Sequence, residues 1–165
     1  DKAIELARQA AAAAPNDLRA RLAVPRALIA AGQLPNAAQE LQPLTKVLPR
    51  DPAVRMVQAQ LEAARKDPRA AAASFKAALD AQPDNLAALD GLVVSLAAQG
   101  NLPAAVGAAE AVVAKSPTDA RALVVAARAH VLAKDFGRAE AALREAIAID
   151  PQLLDAYSML GQIYI

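Results

Sequence analysis

The chain has 165 residues, 56% of them hydrophobic and 21% charged, which excludes disorder by composition and leaves enough length to bury a core. Its 18 Lys+Arg against 17 Asp+Glu give a formal charge of +1, too little to gather phosphate backbones or anionic lipid, so nucleic acid is not a predicted partner. The absence of Cys removes disulfides, thiolate catalysis and Cys-ligated zinc, and leaves the compartment open between cytoplasm and periplasm.

The first predicted helix, 2–14, runs through an alanine-rich stretch to Pro15. Alanine supplies more than a quarter of the chain, so local helix propensity is high and strand signals are weak. Asn16-Asp17 then offers side-chain oxygens to cap a second helix over 18–31. That helix ends at Gly32-Gln33-Leu34-Pro35, where Gly supplies a left-handed residue and Pro is tolerated in the first turn of the next helix, 35–48. Pro49 with Arg50-Asp51 repeats the first break and opens 52–65; Lys66-Asp67-Pro68 leads into 69–82. Beyond Pro83 and Asp84-Asn85 come helix 86–99, the turn Gly100-Asn101-Leu102-Pro103 and helix 103–115. Pro117 and Thr118-Asp119 precede 120–133, Lys134-Asp135-Phe136-Gly137 separates it from 137–149, and Pro151 precedes a last helix over 153–165. The most apolar stretch, Ala122 to Ala133, is interrupted by Arg128 and His130 and falls short of the roughly 20 residues a bilayer requires, so no membrane span is predicted.

Two combs fix the repeating unit. Pro15, Pro49, Pro83, Pro117 and Pro151 follow one another at intervals of 34, and Ala3, Ala37, Ala71, Ala105 and Ala139 lie 12 residues before them. Each unit is a helix, a tight turn and a second helix. The predicted organisation is one array: 1–17 as a second half-unit, full units over 18–51, 52–85, 86–119 and 120–153, and 154–165 as a first half-unit. A 34-residue helix–turn–helix closed by proline resembles the tetratricopeptide repeat family. The segment Asp155-Ala156-Tyr157-Ser158-Met159-Leu160-Gly161-Gln162-Ile163-Tyr164 follows that family's first-helix pattern; Phe136, Ala139 and Ala146 match its turn aromatic and two small positions, and Phe75 its second-helix aromatic.

The resemblance implies an all-α superhelix, or solenoid, of antiparallel hairpins whose first helices line a concave, protein-binding groove. The groove positions are then Arg19, Leu22, Arg26 and Ile29; Met56 and Gln60; Asp90 and Val94; Arg121, Val124, Arg128 and Val131; and Ser158 and Gln162. The expected partner is a protein, as a peptide segment or a helix, with arginines pairing its acidic groups. Lys and Asn at the recurring positions of the family's carboxylate clamp are absent, which disfavours chaperone C-termini. Departures fall in two units. Pro25 and Pro43 stand inside predicted helices, where a kink or local irregularity is expected. Arg55, Gln58 and Glu62 occupy positions the family keeps apolar, so Val54, Met56, Val57 and Leu61 are expected to carry the packing of helix 52–65.

Catalytic constellations are lacking. His130 is the sole histidine and reads as a partly buried imidazole, hydrogen-bonded within the repeat; Glu110, Asp135 and Glu140 read as solvated, and Asp80, Asp84 and Asp90 span a helix end and a cap. Gly100 to Gly107 lacks the Lys-Ser/Thr of a phosphate loop and follows a helix. No cofactor or metal is expected, and no enzymatic activity. Both ends read as uncapped, since Ile163-Tyr164-Ile165 closes on apolar residues; an excised segment of a longer array and end-to-end homo-oligomers are the corresponding expectations. An Ala-rich, aromatic-poor array is similar to those of bacterial secretion and exopolysaccharide-export proteins, which tilts the compartment toward the periplasm. The other reading is a regulatory or targeting domain of an enzyme whose catalytic part lies elsewhere.

Overall fold

The computed structural model describes residues 2–165; Asp1, assigned above to the first half-unit, lies outside the described residues. Among these residues there are ten helices and no strand. They are α1 (Lys2–Ala13), α2 (Leu18–Ala30), α3 (Leu34–Val47), α4 (Pro52–Ala64), α5 (Pro68–Ala81), α6 (Leu86–Ala98), α7 (Leu102–Lys115), α8 (Ala120–Leu132), α9 (Phe136–Ile149) and α10 (Leu154–Ile163). They fall into two compact units, one ending at Gln82 and the other running from Pro83 to Ile165.

Turn chemistry sets these boundaries. Asp17, Asp51, Asp67, Asn85, Asn101, Asp119 and Asp135 each accept hydrogen bonds from backbone N–H groups in the first turn of the helix that follows, satisfying donors with no partner inside the helix. At the mid-unit turns Gly32, Lys66, Gly100 and Lys134 all take positive φ, between 61° and 76°. The next residue's N–H then reaches back five residues: Gln33 to the Leu28 carbonyl, Asp67 to Glu62, Asn101 to Leu96 and Asp135 to His130, at 2.9–3.0 Å. This is a Schellman closure, and two of the four use lysine where glycine is the strain-free choice.

In the first unit the core is Ile4, Ala7, Leu22, Val24, Leu28, Ala37, Leu41, Leu44, Val54, Val57 and Leu61. Neither internal proline ends its helix: α2 runs through Pro25, which is fully buried, and α3 runs through Pro43, which is exposed. A proline lacks only its own N–H, and so leaves one carbonyl a turn earlier without its donor. In α4, Val54, Val57 and Leu61 are buried as expected, while Met56 is only half-buried. The polar face of that helix is wired to itself, with Arg55 Nη1 donating to Gln58 Oε1 at 3.3 Å and Gln58 Nε2 donating to Glu62 Oε1 at 2.9 Å. The other Glu62 oxygen is buried without a partner.

In the second unit α8 is the most enclosed helix, buried from Ala122 through Ala127. It packs on α6, α7 and α9, and α10 covers α9. The small residues of the alanine comb explain how helices come this close: Ala37, Ala71, Ala105 and Ala139 are all 0% exposed. Ala3, the first tooth, is exposed. At the other end Tyr164 does not stand free. Its hydroxyl donates to Glu140 Oε1 at 2.6 Å and accepts from Arg144 Nη2 at 3.0 Å, which ties the end of α10 back onto α9. That hydroxyl first, then Arg144, holds the Glu140 carboxyl below its usual range.

Candidate protein-binding surface

The predicted groove positions divide by comb tooth. Leu22, Met56, Asp90, Val124 and Ser158 are spaced by 34, as are Arg26, Gln60, Val94, Arg128 and Gln162. The first set lies in or beside the seam between successive first helices, which pack directly as α2 on α4 and α6 on α8. Leu22 is 0% exposed and Val124 7%, so these two expected contacts are core residues and cannot meet a partner without repacking. Met56 and Asp90 are half-buried, and Ser158 is exposed. The second set sits one turn further along each helix and remains open: Arg26, Gln60, Val94 and Gln162 are exposed, and the Arg128 side chain is 44% exposed. Arg19 and Arg121 are also exposed, whereas Ile29 and Val131 pack partly against their respective cores.

In the second unit four of the predicted residues converge. Arg128 and Val131 of α8 face Ser158 and Gln162 of α10 across an open cleft of about 420 Å³, completed by Leu132, Asp155 and Met159. The spacing explains it: 155, 158, 159 and 162 form one stripe of α10, and 128, 131 and 132 one stripe of α8. The cleft offers a guanidinium, a hydroxyl, an amide and a carboxylate over apolar walls, a set suited to the alternating polar and apolar groups of a polypeptide.

Arg128 is engaged in a way the sequence did not announce. Its Nε lies 3.2 Å from Asp90 Oδ1 of α6, yet neither of these buried atoms completes an aligned hydrogen bond. The contact is ionic, and poorly directed. A second notch of similar size opens beside α7 and is lined by Leu102, Val106, Glu110, His130 and Arg138 among others. There the buried His130 sets Nε2 3.5 Å from Glu110 Oε1, and Arg138 Nη1 approaches the same oxygen at 3.9 Å. Glu110, read above as simply solvated, is thus drawn to the imidazole, although half of its side chain stays exposed. Among the described residues no group of three or more His, Cys, Asp or Glu could hold a metal ion, and no helix is long and apolar enough to cross a membrane.

Two family models described as tetratricopeptide repeat match the chain, one over residues 1–61 and the other over 91–153, together more than half of it. No curated protein matches the sequence. Among solved structures, the crystal structure of TTC0263, a thermophilic repeat protein of this kind from Thermus thermophilus, superposes with a TM-score of 0.79 at 17% identity, covering 98% of this chain and 88% of that one. A tetratricopeptide repeat protein from Parabacteroides merdae gives 0.72 at 15% identity over 98% of this chain and 63% of its own. YrrB, described as having an unusual peptide-binding site, gives 0.64 at 16% identity over 96% and 81%. At these identities the likeness is one of fold.

Proposed function

Because the chain belongs to the tetratricopeptide repeat family, we propose that it is a protein-binding scaffold that holds a peptide segment or helix of its partner against the exposed faces of its first helices. The observation that carries this reading is the α8–α10 cleft, where Arg128, Val131, Ser158 and Gln162 gather polar and apolar groups on one open surface. In the first unit Arg19, Arg26 and Gln60 are the corresponding exposed contacts. YrrB supports the reading as a repeat protein with a peptide-binding site of its own. The scaffold's setting in a bacterial secretion or exopolysaccharide-export assembly rests on composition alone.

The chain contains no cysteine, so Ser158→Cys provides a unique labelling point in the cleft. A random-peptide display library selected on the unlabelled protein should yield binders that a bulky maleimide adduct at that position excludes. If no binders emerge, or if they are indifferent to the adduct, the cleft is not the binding surface.

A further inference from the structure

Asp90 is the acidic tooth of a comb whose other members are Leu22, Met56, Val124 and Ser158, and the teeth on either side of it, Met56 and Val124, are apolar. An acid at that seam costs desolvation unless something answers it, and Arg128 does, at 3.2 Å. The answer is incomplete, since the facing Arg128 Nε and Asp90 Oδ1 are both shut away from solvent and neither makes an aligned hydrogen bond. The same guanidinium lines the α8–α10 cleft. We propose that Asp90 is an internal competitor, a carboxylate of the protein's own that occupies Arg128 in the free state and gives it up to a carboxylate of the partner, so that the cleft selects acidic segments.

This rests on the reading of the cleft as a peptide-binding surface. Two consequences give it direction. An aligned, bidentate carboxylate on a guanidinium is a stronger partner than a misaligned one, so an acidic ligand can displace Asp90 where a neutral ligand cannot. While Asp90 remains charged nearby it also repels the incoming acid. At a separation of about 5 Å in a water-like dielectric that repulsion corresponds to roughly a fourfold loss of affinity. Removing the charge of Asp90 should therefore strengthen binding, the reverse of what removing a positioning residue would do.

The experiment uses the adduct-sensitive peptides selected on the unmodified protein, each made also with its acidic residue replaced by the amide. Their affinities are measured on the parent chain, on Asp90→Asn and on Arg128→Gln, after circular dichroism has shown all three to be fully folded at the assay temperature. The expected result is an acidic residue at one fixed position of the selected peptides, about fourfold tighter binding by Asp90→Asn, and no distinction between acid and amide peptides by Arg128→Gln. Equal or weaker binding by Asp90→Asn overturns the proposal while leaving the cleft a peptide site, and so does the selection of adduct-sensitive peptides with no acidic position. A library that yields no adduct-sensitive binder removes both readings together.

Discussion

Replacing Gly100 by alanine separates backbone strain from packing, because a Cβ built there meets nothing within 4 Å while φ stands at +76°. No steric loss accompanies the change, so its whole effect is conformational. Holding an L-residue in the left-handed region costs roughly 1–2 kcal/mol, and alanine returns about 0.4–1 kcal/mol by restricting the unfolded chain. The net loss should be about 1 kcal/mol. Lys134, at φ +61° in the equivalent turn one repeat later, supplies the mirror experiment. Lys134→Gly relieves the same strain, concedes the same unfolded-state term, and should gain about 1 kcal/mol. Urea unfolding followed by far-ultraviolet circular dichroism measures both, with equal m values required so that the shifts report stability rather than a changed unfolded state. If Gly100→Ala is neutral, or if Lys134→Gly destabilises, the left-handed turn is not what closes these hairpins.

Ala139→Leu should overpack a site that is 0% exposed in the core of the second unit and lower stability by roughly 1–3 kcal/mol, read as a fall in melting temperature. Arg128→Ala removes the cation 3.2 Å from Asp90 Oδ1 and should cost up to about 1 kcal/mol, whereas Arg121→Ala, exposed, should stay within about 0.5 kcal/mol in the same unfolding assay. Glu140, with its pKa lowered in the folded chain, adds stability that is present above its unfolded pKa and lost as pH falls through the folded value. Tyr164→Phe removes the first cause of that lowering; the Glu140 carboxyl should then titrate nearer its ordinary range in an NMR titration, with a smaller loss of stability on acidification.

The helices were legible because their punctuation is chemical and local. A proline, a capping Asp or Asn and a Gly or Lys turn recur at fixed offsets, and the predicted boundaries fall within one or two residues of those observed. What the sequence did not disclose is how adjacent first helices settle against one another. The positions of Leu22 and Arg26 differ by about one helical turn, and only packing decides that the former enters the seam while the latter stays open. Pairs distant in sequence were likewise hidden: Asp90 with Arg128, Glu110 with His130, and Tyr164 with Glu140. A usable signal existed for the first, since an acid set between the apolar teeth Met56 and Val124 predicts a cationic neighbour. No comparable signal marked the others.

Within each compact unit, helices touch their neighbours in the chain or the helix next but one. Contacts so short in sequence separation close small loops, which predicts rapid folding and little penalty from chain entropy at the transition state. They also mean that heat need not unravel a unit at a single stroke. A helix that buries little, such as α1 with Ile4 and Ala7, can open while the packing of Leu22 and Leu28 with Val54 and Val57 persists, so amide exchange should vary in steps along the chain rather than converge on one value.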